Sequence, residues 1–263
     1  MRRIQLIIAY DGTDYHGFAK QEHAITIQGT VENAIYSLTG KKVDLVGSGR
    51  TDAGVHAKGQ CCIIDIDTPI PTERFAKALN SRLPKEIVIK EARDVKSDFH
   101  PRFMAKKKTY RYQILTSKVN DPFIGKYCYF YPYSLDIEAM KEAARRIEGT
   151  HDFKCFCASG STVKDTVRTV YSIEVHEQDD IVYLDVCGNG FLYNMVRIIA
   201  GTLIDVGRHR LTAQTIEEML EKRDRTLGGP TAPPEGLTLL EVYYDAALRY
   251  EPVSYTHLTL PTI

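Results

Sequence analysis

"KVDLVGSGRTDAGVHAKGQCCIIDID", residues 42 to 67, is the stretch from which the fold is read. Its two apolar runs, "KVDLVGSG" and "QCCIIDID", have strand character, and the segment from Gly47 to Gly59 inclusive holds four glycines, a carboxylate (Asp52) and, among its cations, the candidates Arg50 and His56. Glycines at such a density let a strand stop, turn sharply and present a side chain outward. Working outward, "RIQLIIAY" (3 to 10) predicts a strand and "TIQGTVENAIYSLTG" (26 to 40) an amphipathic helix ended by Gly40. "PTERFAKALNSRL" (71 to 83) predicts a helix behind Pro71, and "EIVIKEARDV" (86 to 95) a strand. The order is β-α-β-β-α-β, the split arrangement of a ferredoxin-like layer.

The second half repeats the pattern. "KTYRYQILTS" alternates as a strand, "LDIEAMKEAARRIEG" is helical with Gly149 as its stop, and "RTVYSIEVHEQ" with "DIVYLDVCG" reads as a hairpin. "FLYNMVRIIAGTLIDVG" (191 to 207) has the character of a buried helix, and "LTLLEVYYD" closes as a strand. The expected class is α+β: two ferredoxin-like halves forming an extended antiparallel sheet, helices on one face, and a central cleft, with the other face of the sheet free to hold a ligand. Residues 1 to 103 form the expected first half and 104 to 247 the second. The last residues, 248 to 263, follow no helical or sheet logic and are expected to be a non-native or disordered tail.

The bulk composition narrows the class. A chain of 263 residues with 43% apolar and 26% charged side chains has room for a sizeable core, and no apolar run is long enough to span a bilayer. A cytoplasmic location is expected. Six dispersed cysteines do not form a disulfide framework. His151, Cys155 and Cys157 lack a second ligand cluster, so a metal site is not expected there. Net charge is zero, 34 basic against 34 acidic groups, so any attraction to nucleic acid must come from local clustering.

Three features carry chemistry. "GSGRTDAGVHA" lacks the Gly-Lys-Ser/Thr of a phosphate loop and places Asp52 where a dinucleotide fingerprint needs glycine. A carboxylate there either caps the turn or acts as a nucleophile or base if a cation keeps it ionised. Arg197 stands in the otherwise apolar "MVRIIAG", where an unpaired guanidinium is costly, so it either reaches solvent or pairs with a carboxylate. Paired with Asp52, it would lower that group's pKa and place the site between the halves. "HPRFMAKKKTYRYQI" (100 to 114) gathers Arg102, Lys106, Lys107, Lys108 and Arg111 around Tyr110 and Tyr112. Lysines there could simply guard a sheet edge, but cations beside aromatics suit phosphates and unstacked bases.

On these residues the chain resembles the TruA family of tRNA pseudouridine synthases over nearly all of residues 3 to 246. The matching stretches are "YDGTDYHGF" (10 to 18), "GSGRTDAGVHA" (47 to 57), "FHPRF" (99 to 103), "KTYRYQI" (108 to 114), "DPF" (121 to 123), "HDF" (151 to 153), "GNGFLYNMVRIIAGTLIDVG" (188 to 207) and "TAPPEGLTLLEVYY" (231 to 244). It departs at Phe18 and Ala19, where members often carry Trp-Gln, and at Pro101, where a small residue is usual. The resemblance implies that Asp52 is the catalytic nucleophile, that Arg197 pairs with it, that Tyr110 stacks on the target base and that Arg50 helps hold the everted nucleotide. It also implies action on uridines 38, 39 and 40 of tRNA, a homodimer, and neither metal nor organic cofactor. The alternative is a non-catalytic RNA-binding module on the same scaffold. A third reading, a nucleotide-dependent enzyme using the glycine loop, fits poorly because the phosphate motif is missing.

Overall fold

A computed structural model describes residues 1 to 245, so the expected tail lies outside the described residues. Ten strands form one mostly antiparallel sheet. In chain order they are β1 (Arg2–Tyr10), β2 (Val46–Gly47), β3 (His56–Ile66), β4 (Ile87–Val95), β5 (Lys107–Leu115), β6 (Tyr129–Phe130), β7 (Gly149–Asp152), β8 (Val167–Gln178), β9 (Ile181–Gly188) and β10 (Leu237–Tyr243). Five helices accompany them: α1 (Ile27–Thr39), α2 (Thr72–Asn80), α3 (Ile137–Ile147), α4 (Met195–Gly207) and α5 (Ala213–Lys222). The strand order is β4-β1-β3-β10-β5-β9-β8-β7, with β2 added to β3 and β6 to β5. A short parallel contact between β10 and β3, Thr238 to His56 and Leu239 to Ala57, joins the strands of the first 100 residues to those that follow.

Local chemistry explains most of the boundaries. Thr26 caps α1 by accepting from the Gly29 N–H, and Asp136 caps α3 by accepting from Ala139. The β8–β9 hairpin turns through Asp179 and Asp180, both left-handed (φ 52° and 61°), the conformation that a two-residue hairpin loop demands. The strand expected over "KVDLVGSG" contracts to Val46–Gly47, because the Leu45 N–H donates to the Glu32 carboxylate of α1 (3.1 Å) instead of joining a ladder. The expected helix from residue 191 begins only at Met195, behind a left-handed Asn194. Helix α5 and the short strands β6 and β7 were not anticipated.

Burial alternates along the central strands and defines the two faces of the sheet. On β5, Tyr110, Tyr112 and Ile114 are buried, opposite Val186, Leu184 and Val182 of β9, in the core filled by Ile198, Ile199 and Leu203 of α4. Lys107, Thr109, Arg111 and Gln113 point to the opposite, open face. Among the described residues no helix is long and apolar enough to cross a membrane.

Candidate active site

The segment from Gly47 to Val55 is braced on several sides. Tyr10 at the end of β1 hydrogen bonds through its hydroxyl to the Thr51 hydroxyl (2.8 Å), and the Phe18 N–H donates to the Thr51 carbonyl (3.0 Å). Gly17 takes φ +86°, and a Cβ on it would lie 2.7 Å from the Thr51 carbonyl oxygen, so only glycine lets the two loops approach this closely. Phe18 is buried and packs its ring on Gly47. From the β3 side, Gln60 donates to the Gly49 carbonyl (2.8 Å) and Lys108 of β5 reaches across to the Ser48 carbonyl (2.7 Å). Burial pulls the Lys108 ammonium down to about 8.

His56, at the start of β3, ties this loop to two further segments. Its Nδ1 accepts from the Gly12 N–H (3.1 Å), which leaves Nε2 to donate to the Glu235 carbonyl (3.2 Å). Asp11 Oδ1 lies 3.2 Å from Nδ1, and its other carboxylate oxygen accepts from the Tyr127 hydroxyl (3.0 Å). Burial lowers the His56 pKa, against the opposing pull of Asp11. The neighbouring "TAPPEG" segment is seated on α4 at Gly201, where an added Cβ would stand 1.8 Å from the Pro230 carbonyl oxygen. Its Pro233 carbonyl accepts from the Tyr112 hydroxyl (2.8 Å).

Asp52 stands at the tip of this braced loop. Its backbone carbonyl accepts from the Val55 N–H (3.2 Å), but among the described residues its side chain makes no hydrogen bond within the turn, so it is not a turn cap. Arg197, in the first turn of α4, is turned inward rather than extended into solvent, its side chain 15% exposed: its Nε donates to the Ala232 carbonyl (2.7 Å) and its Nη1 to Asn194 Oδ1 (2.9 Å). The same Nη1 lies 3.6 Å from Asp52 Oδ2. The pairing read from the sequence is therefore present, but its expected consequence is not. Burial pushes the Asp52 carboxyl above its ordinary value by more than Arg197 draws it down.

Tyr110 completes the cluster from β5. It is 9% exposed, meets Phe191 edge to face (centroids 5.3 Å apart), and its hydroxyl makes no hydrogen bond among the described residues. Burial, and secondarily the Asp52 charge, pushes its phenol well up.

The basic run does not form the single surface that its sequence suggests. A strand sends successive side chains to opposite faces, so Lys107 and Arg111 sit across the sheet from Lys108 and Tyr110. Arg111 makes a two-pronged ion pair with Asp185 (2.6 and 2.7 Å), its guanidinium over the Tyr183 ring. Lys107 lies over Tyr243, and Lys106 pairs with Asp245 (3.0 Å). Arg50 and Arg102 are exposed. The structure thus brings together Asp52, Arg197 and Tyr110 on the helix-bearing face rather than the open one, with Lys108 bound to the Ser48 carbonyl at the start of the same loop. Among the described residues no three His, Cys, Asp or Glu side chains converge as metal ligands, and Cys155 is buried in the core.

The residues that sequence reasoning passed over are Gly17, Asn194 and the carbonyl of Ala232. Each lies within a stretch quoted above, yet nothing in its spacing says which distant group it meets. A carboxylate beside a fixed guanidinium and a buried aromatic is an arrangement able to support acid–base or covalent chemistry on a planar group.

The chain belongs to the tRNA pseudouridine synthase family, whose model matches residues 6–104 and 143–245, and it is an isomerase of that family. It is 50% identical over 244 residues to the tRNA pseudouridine synthase A of Acetivibrio thermocellus, covering 93% of this chain and 100% of that protein. It is 45% identical to the protein of the same name from Thermoanaerobacter sp. (strain X514), with the same coverage. Among solved structures, an archaeal box H/ACA Nop10–Cbf5 complex is a weak likeness: 12% identity, TM-score 0.34, covering 76% of this chain and 44% of that one.

Proposed function

We propose that this enzyme isomerises uridine to pseudouridine at positions 38, 39 and 40 in the anticodon stem-loop of tRNA, with Asp52 as nucleophile. The observation that carries the reading is the ion pair of Asp52 with Arg197 at the tip of a loop braced from both sides. The reaction breaks the N1–C1′ bond, turns the uracil and joins C5 to C1′, with loss of the C5 proton and gain of a proton at N1. A stacked uridine hides these atoms, so the nucleotide must flip out, at a cost of a few kcal/mol. Stacking on Tyr110 offsets part of that cost.

Asp52 then attacks C1′, adds to C6 of the uracil or removes a sugar proton to form a glycal. Each route needs the ionised carboxylate, and Arg197 stabilises that form against the cost of burial. A Tyr110 phenol shifted upward stays protonated near neutral pH, so removal of the C5 proton by its phenolate is disfavoured and stacking is its role.

Arg50, Arg102, Lys106, Lys107 and Lys108 are the proposed phosphate contacts. Arg111, already neutralised by Asp185, would add little to that attraction. The strand orders β4-β1-β3-β2 and β10-β5-β9-β8 support two ferredoxin-like halves, 1 to 103 and 104 to 247, with the RNA cleft between them. We read the enzyme as a cytoplasmic homodimer without metal or organic cofactor.

Tritium release from tRNA carrying 5-tritiated uridine tests this reading, since the C5 hydrogen is exchanged in the reaction. Release from tRNAs with uridine at 38, 39 or 40 supports it. Binding without release would make the chain an RNA-binding module.

A further inference from the structure

Asn194 occupies the N-cap of α4, where asparagine ordinarily accepts a hydrogen bond from the first helical turn. Here it makes no such cap, and its backbone is left-handed, with φ 59° and ψ 10°. Its Oδ1 accepts instead from Arg197 Nη1 (2.9 Å). The Ala232 carbonyl takes Arg197 Nε (2.7 Å), and the Ala232 N–H donates back to the Arg197 carbonyl (3.1 Å). So anchored, Nη1 stops 3.6 Å from Asp52 Oδ2, a single long contact that still favours the ionised carboxylate.

We propose that Asn194 is a positioning residue that holds Arg197 back, so that the guanidinium stabilises the Asp52 charge through one long contact rather than a short two-pronged pair and leaves the carboxylate free to engage the uridine. An unrestrained arginine closes on a carboxylate as a two-pronged, hydrogen-bonded pair, as Arg111 does on Asp185 in this same chain. A carboxylate tied in that way is a weaker nucleophile and a weaker base. The left-handed backbone fits the same role. Asparagine tolerates it better than most residues, and here it accompanies a side chain turned away from the helix end toward the guanidinium. The charged and titratable groups facing Asp52 are Arg197 from α4 and Tyr110 from β5; Tyr112 of β5 faces Arg197.

The inference rests on Asp52 as the catalytic carboxylate, so its test carries Asp52→Asn as a control. The measurement is the pH–rate profile of single-turnover tritium release, with tRNA Kd measured in parallel. Asn194→Gly keeps the left-handed backbone and removes Oδ1. Arg197 then closes on Asp52, the rate falls by about tenfold with Kd essentially unchanged, and the acid limb moves to lower pH because tighter pairing favours the ionised carboxylate. Asn194→Asp places a competing carboxylate beside Arg197 and moves the acid limb to higher pH. If Asn194→Gly folds poorly, the Asn194→Asp profile decides alone. An acid limb that stays at its parental position in either folded variant, whether or not the rate falls, overturns the inference. Activity in Asp52→Asn instead overturns the reading beneath it; an inactive Asp52→Asn beside an unaltered Asn194→Gly overturns the positioning role only.

Discussion

Replacing Gly17 by alanine tests whether the loop of residues 10 to 18 positions Asp52. The new Cβ would lie 2.7 Å from the Thr51 carbonyl oxygen and 3.2 Å from the Asp52 carbonyl carbon, both backbone atoms that no side-chain rotation relieves. Restoring an ordinary 3.4 Å contact moves the Thr51 carbonyl, next to Asp52, by about 0.7 Å. At φ +86° an alanine also pays about 1–2 kcal/mol of left-handed strain, and weakening the Phe18 to Thr51 hydrogen bond adds about 1 kcal/mol. The expected loss of stability is therefore about 2–3 kcal/mol. A misplacement of this size costs roughly 10- to 100-fold in rate. Urea unfolding gives the first quantity, and single-turnover tritium release at saturating enzyme gives the second. A variant with parental stability and rate would show that the loop does not position Asp52.

Three further outcomes follow from the electrostatics. Because the folded state raises the Asp52 pKa, its charge costs stability above that pKa, so Asp52→Asn should melt at or above the parent at pH 7. The difference should close as pH falls through the folded pKa and Asp52 itself becomes neutral; thermal unfolding across pH checks this, and a less stable variant at pH 7 would contradict it. Arg102→Ala should weaken tRNA binding and lower the salt slope of log K by about 1, whereas Arg111→Ala should leave that slope unchanged because Asp185 already neutralises it. Titrations at several salt concentrations separate the two, and equal slope changes would restore Arg111 as a phosphate contact. Lys108→Met removes the bond to the Ser48 carbonyl and should reduce single-turnover rate more than affinity; a pure affinity loss would make Lys108 only a phosphate contact.

Much of the fold was legible because long apolar periodicities dominate it. The strands at Arg2–Tyr10 and Ile87–Val95 and the helices at Ile27–Thr39 and Thr72–Asn80 lie close to where alternation and capping residues put them. The strand before the Asp52 loop was overestimated, since the composition of "KVDLV" could not reveal that Glu32 takes the Leu45 N–H. Arg197 announced a partner by its apolar surroundings, and Asp52 by the glycines around it. What could not be read was the net sign of Asp52's pKa shift, which depends on how deeply its loop is buried against the residues from Tyr10 to Phe18. The basic run misled for a plainer reason: of its five cations only Lys107, Lys108 and Arg111 lie on β5, where they divide between its two faces, and Arg111 meets an aspartate 74 residues away.

The most direct test is tritium release from 5-tritiated-uridine tRNA by the parent and by Asp52→Asn, with tRNA binding measured for both. The account predicts release by the parent, none by the variant, and similar affinity for tRNA. Release by Asp52→Asn at the parental rate would contradict it.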